Sequence, residues 1–140
     1  MNTSPEREVS ELGVQRHHAR ERALEILYEA SIKDRPVEVI VRELTLVPDP
    51  YTALIVASAQ EHRAQAEEII GLYAQDWTIQ RMALIDRLIM TLAIGELLLD
   101  DPPPTPVVLD EAVELAKVYS TDGSASFVNG VLASCAAHLE

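Results

Sequence analysis

Apolar residues cover nearly the whole circumference of the stretch 79–99, which predicts a helix buried on most of its sides. Thr78 is its expected N-cap, and Asp100 followed by Pro102, Pro103 and Pro104 should end it. Upstream, Ala19, Ala23, Ile26, Leu27 and Ala30 share one helical face between residues 15 and 31. Lys33, Asp34 and Arg35 read as a turn, and Pro36 suits the first turn of a short helix with Val37, Ile40, Val41 and Leu44 inward. Beyond Pro48-Asp49-Pro50, one long helix is expected from Tyr51 to about Tyr73, with Leu54, Ile55, Ser58, Gln65, Ile69 and Leu72 on or near its buried stripe. Trp77 is the expected packing anchor between the halves. After the proline run, Val108, Leu109, Ala112, Val113, Leu115 and Ala116 mark a fifth helix. A Ser-Thr-Asp-Gly-Ser loop separates it from a last helix over residues 126–139, with Phe127, Val128, Val131 and Leu132 inward.

This pattern predicts an all-α fold of about six helices in two sets of three. A single domain spans residues 14–140, with sub-bundles at about 14–75 and 77–139. Residues 1–13, polar and holding Pro5 and Gly13, read as a flexible arm. Asp86, Arg87 and Glu96 in the most apolar stretch argue against a membrane span. The lone Cys135 excludes an internal disulfide, and the N-terminus has no apolar signal core; both fit a cytoplasmic setting.

The net charge of −12 argues against nucleic-acid binding if taken alone, since phosphate contacts need Lys and Arg. The charge is unevenly spread, however. Residues 14–35 carry five bases against four acids, before His17 and His18 are counted. Within them, Arg16-His17-His18-Ala19-Arg20 is anomalous, because cations in a first helical turn oppose the macrodipole by roughly 0.3–1 kcal/mol each. Such a cluster suits phosphate contacts, and its imidazoles can stack on unpaired bases. A solvated face that tolerates the penalty is the plain alternative. Cys135 and His138 have ligand spacing but no second pair, so no metal site is expected. His62 reads as a surface residue. Asp110 with Glu111, and Glu67 with Glu68, read as solvated acids rather than an acid/base couple, and no catalytic constellation or cofactor site stands out. Tyr28, Tyr119 and Phe127 read as core, or as anchors of a protein interface.

The run Arg16-His17-His18-Ala19-Arg20-Glu21-Arg22-Ala23-Leu24-Glu25-Ile26-Leu27-Tyr28-Glu29 resembles the opening helix of the NusB family. Asp110 to Lys117 with Tyr119-Ser120 is similar to its fifth-helix motif, and Phe127-Val128-Asn129-Gly130-Val131-Leu132 to its C-terminal signature. Trp77 to Arg81 and Ile85-Asp86-Arg87 fit between them, so the resemblance runs from about residue 15 to 133. It implies two packed three-helix bundles and a non-enzymatic transcription antitermination factor. Such a factor binds single-stranded boxA RNA with NusE, a small-subunit ribosomal protein, and joins the RNA polymerase antitermination complex on ribosomal RNA operons. By position it implies RNA contacts at Arg16, His17, His18, Arg20 and, more weakly, Lys117, and NusE contacts at Tyr28, Asp86, Tyr119 and Phe127. The chain departs from the family at His17 and His18, where arginines are usual, and at Thr91 and Gly95 in the central helix. Protonation of the two histidines is expected to strengthen RNA binding toward pH 6. Two other readings are a NusB-fold interaction module without RNA binding, and a relative of the N-terminal module of ribosomal RNA cytosine methyltransferases. The length of 140 residues speaks against the latter. A homodimer is left open.

Overall fold

The computed structural model describes residues 5–75, 78, 79 and 81–140, with side chains from Glu11 onward. These residues form seven α-helices and no strand: α1 (Pro5–Lys33), α2 (Val37–Arg42), α3 (Pro50–Glu61), α4 (Arg63–Tyr73), α5 (Leu84–Leu97), α6 (Thr105–Tyr119) and α7 (Ser124–Leu139). None is long and apolar enough to cross a membrane. The all-α expectation holds, with one helix more than the pattern predicts.

Four boundaries differ from the sequence reading. Helix α1 starts at Pro5, a residue suited to a first helical position, so residues 5–13 are helical instead of an irregular arm. The expected long helix over 51–73 is two, because His62 (φ −102°, ψ 14°) caps α3 and opens α4. The break shifts the helical phase, and Leu54 and Leu72 face solvent while Val56, Ala59, Ala66 and Ile70 are buried. Helix α5 begins at Leu84 after an extended Ala83, so Thr78 does not cap it. Instead the Thr78 carbonyl accepts from the amides of Arg81 and Met82 in a preceding turn. Trp77 lies outside the described residues.

Helix α5 is the organiser, packing against α1, α3, α4, α6 and α7. Ten of the eleven positions from Asp86 to Glu96 are buried, the exception being the half-buried Arg87. Its closest approach is to α3, where Gly95 has no side chain because there is no room for one. A Cβ there would sit 2.8 Å from the Ala59 backbone nitrogen. The Ser58 hydroxyl uses this proximity to donate to the Gly95 carbonyl at 2.6 Å. Helix α4 packs chiefly on α5 and α7, and Tyr73 on it meets His138 on α7 at 2.9 Å. The bend at His62 therefore carries the chain from the first set of helices to the second before the expected boundary near residue 76.

Candidate nucleic-acid and protein interface

Helix α1 turns Arg20 inward with Ala23, Leu24 and Leu27, since residues spaced by three and four share a face. Arg20 is 3 % exposed. Its Nε donates to both Glu96 oxygens at 2.8 and 3.1 Å, and its Nη2 donates to Glu96 Oε2 at 2.5 Å. Tyr51 donates its hydroxyl to the same oxygen, and Glu111 lies 3.7 Å from Arg20 Nη1. Burial alone would lower the Arg20 pKa, but the bonds and charge of Glu96 raise it above its ordinary value. Burial and Glu96 likewise push the Tyr51 hydroxyl well above the tyrosine range. The expectation that Arg20 lies on an open basic surface is thus corrected: it is a core residue joining α1 to α5.

The rest of the cluster divides. The Arg16 guanidinium stacks over the Tyr51 ring at 4.4 Å, and among the described residues no carboxylate pairs with it. His17 Nδ1 meets Glu111 Oε2 at 2.7 Å, and its other nitrogen lies 3.5 Å from Glu21. His18 is the most exposed of the group and touches Glu21 at 3.1 Å. Lys117, on α6, is exposed and pairs with Glu114. Glu111, expected as a solvated acid, is therefore an internal partner for His17 and Arg20 instead. His62 is half-buried with its ring on the Ser58 carbonyl, rather than free on the surface.

Glu21 also reaches the opposite side, accepting from the Tyr119 hydroxyl at 2.9 Å. Burial would raise the Glu21 pKa, but bonds from Tyr119 and His18 and the charge of both histidines hold it below the carboxylate range. Tyr119 is pushed up to about 12 by burial and by this bond. Tyr119 and the exposed Tyr28 flank an apolar groove of about 580 Å³ over Leu24, Ile32, Leu84 and Ile85. Phe127 and Asp86 line a second groove of about 420 Å³, and Ala83 belongs to both. All four residues predicted for a protein partner thus line two adjoining grooves. Asp86 is 6 % exposed and accepts from Ser120 at 2.6 Å and Ser124 at 3.1 Å. It fixes the α6–α7 loop, so it is a structural clamp at the floor of the groove instead of an open surface charge.

The sequence reading missed Tyr51, Glu96 and Glu21. A glutamate deep in an apolar helix was a usable signal for Glu96, because a buried charge requires a partner. Glu21 and Tyr51 gave no comparable sign.

The NusB family model matches residues 17–137. A transcription antitermination protein NusB from Thermobifida fusca (strain YX) is 45 % identical over 121 residues, covering 84 % of this chain and 85 % of that one. Among solved structures, T. maritima NusB superposes with a TM-score of 0.77 at 29 % identity, over 87 % of this chain and 90 % of the other. A chain from a complex of antitermination factors NusB and NusE with double-stranded RNA gives 0.74 at 24 % identity, over 88 % and 96 %, a likeness of fold. The chain belongs to the NusB family.

Proposed function

We propose that this protein is a cytoplasmic, non-enzymatic transcription antitermination factor that binds boxA-type single-stranded RNA together with NusE and joins RNA polymerase through that complex. The observation that carries this reading is the contiguity of two candidate surfaces on α1. Glu21 touches His17 and His18 on one side and Tyr119 of the apolar groove on the other. A partner seated against Tyr28, Tyr119 and Phe127 would lie beside the RNA candidates and could add the positive charge that this surface lacks. On this reading Arg16, His17, His18 and Lys117 contact RNA, and Arg20 positions α1. Asp86 holds the loop that presents Phe127.

The test is titration of labelled boxA RNA with the protein alone and with NusE, across a salt series. Weak binding alone, tighter binding with NusE and a steep fall with salt are expected. Arg16→Ala should weaken the complex, and Tyr28→Ala should weaken NusE binding. The engagement of Arg20, His17 and His18 by carboxylates favours one competing reading, an interaction module without RNA affinity. Absence of RNA binding with and without NusE, while NusE itself still binds, would establish that alternative.

A further inference from the structure

A separate cavity of about 230 Å³ lies at the far end of α1, closed by the α1–α2 turn, the α3–α4 junction and the middle of α5. Three arginines line it: Arg35, Arg63 and Arg87. That is three of only eleven Lys and Arg residues in a chain of net charge −12. Arg35 is held by Glu43 in a bidentate pair, both bonds 2.8 Å, and Arg63 by Glu67 at 3.2 Å. Arg87 differs. It is half-buried on α5, yet among the described residues neither a carboxylate nor a hydrogen-bond acceptor meets its guanidinium. Its nitrogens are open to solvent instead of buried, so of the three arginines it is the one free to take an anion in place of water.

The geometry points to a phosphoryl-anion site here, with Arg87 as its principal ligand and Arg63 and Arg35 as flanking charges. Guanidinium forks match the oxygens of a tetrahedral phosphate, and several donors converging on one small cavity suit a compact anion. The volume is below the range typical of drug-sized ligand pockets, which favours a phosphate group over a whole nucleotide. Glu43 and Glu67 neutralise Arg35 and Arg63, and Asp34 also lines the cavity, so Arg87 is the one guanidinium there without a paired carboxylate among the described residues. One unpaired guanidinium limits the site to an ion of low charge. Ala30 lies fourteen residues beyond Arg16 on α1, roughly 20 Å along the axis, so the cavity is distinct from the Arg16–His18 cluster. The phosphoryl group could come from free phosphate or from an RNA backbone passing this end of the bundle.

The test is calorimetric titration of the full chain with inorganic phosphate, with ionic strength held constant by chloride. Saturable binding is expected, weakened roughly ten- to hundred-fold by Arg87→Gln. Arg87→Lys should retain part of the affinity, and Arg42→Gln, which removes a charge outside the cavity, should retain all of it. Unfolding followed by circular dichroism checks that each variant folds; if Arg87→Gln does not, wild type and Arg87→Lys still decide the matter. Displacement of phosphate by single-stranded RNA would identify the RNA backbone as its source, and independent binding would identify a free anion. No saturable binding at constant ionic strength, or equal loss in Arg87→Gln and Arg42→Gln, would overturn the assignment. Neither result depends on whether NusE binds at Tyr28 and Tyr119.

Discussion

Replacing Arg20 by Met should be among the most damaging single changes in the protein. Arg20 and Glu96 are 3 % and 1 % exposed, and the pair shares three hydrogen bonds. Removing the guanidinium leaves Glu96 buried with the Tyr51 hydroxyl as its remaining close donor. Breaking a buried pair in this way costs about 3–5 kcal/mol, whereas an exposed pair contributes about 0–1 kcal/mol. Against a typical total stability of about 5–15 kcal/mol, the loss is large. Removing both charges with Arg20→Met/Glu96→Leu should restore most of it, since replacing a buried ion pair with apolar residues is often neutral. Urea unfolding followed by far-ultraviolet circular dichroism measures both effects, provided the denaturant slope is unchanged. A single-variant loss under about 1 kcal/mol, the range of exposed pairs, would refute the buried network. The double variant also separates positioning from contact. If Arg20 only positions α1, this variant should bind RNA with NusE as wild type does, while Arg16→Ala should not. A folded double variant with RNA affinity as low as Arg16→Ala would make Arg20 a direct contact after all.

Gly95→Ala should destabilise despite the better helix propensity of alanine, worth about 1 kcal/mol, because its Cβ meets the Ala59 backbone at 2.8 Å. Overpacking of this kind costs about 1–3 kcal/mol and should lower the thermal midpoint; a raised midpoint would disprove the close approach. Cys135 is fully buried and its thiol is pushed up to about 11 by that burial, so a thiol reagent at pH 8 should react only as the protein unfolds. Rapid reaction in native buffer would show that α7 opens readily. Glu21 is held below its ordinary 4.5, and Asp49 below 3.8, chiefly by the Tyr51 amide it caps. Their contributions are present above those values and are lost as pH falls through the lowered ones, so stability should decline below about pH 4.5. Glu21→Gln and Asp49→Asn should each flatten the urea midpoint between pH 5 and 3; profiles parallel to wild type would remove these groups from the account.

Element type was legible wherever a long apolar stripe repeats, as in α5, α6 and α7, because burial of one face dominates helix stability in a protein. Boundaries were legible where Pro or Gly sets the backbone, as at Pro50 and Gly123, whose φ of 89° precedes α7. The break at His62 was not. Glu61-His62-Arg63 contains no residue that resists a helix, and the bend arises because α4 finds its apolar partners on α5 and α7. The start of α5 was hidden in the same way, since Met82 and Ala83 continue its composition while the amides of Arg81 and Met82 still bond to Thr78 in a turn.

The Arg16–Arg20 cluster shows why charge in a sequence is a weaker guide than charge in a structure. As a string it is the one basic segment of an acidic chain, but the helical period divides it. Arg20 faces inward to Glu96, His17 faces Glu111, and Arg16 lies on Tyr51. Besides the neighbouring Glu21, the acids that neutralise it come from positions 96 and 111, which no local reading could join to residues 16–20. The histidines therefore act differently from the arginines usual in the family. Both ring nitrogens of His17 already face carboxylates of the same molecule, Glu111 and Glu21. Contact with RNA should then rest more on His18, whose side chain is 71 % exposed, while His17 chiefly holds α1 to α6. His18→Ala should weaken RNA binding with NusE more than His17→Ala does, and His17→Ala should cost more stability in urea unfolding. Equal losses of RNA affinity and of stability in both variants would mean that the two imidazoles meet RNA alike, against the division seen here.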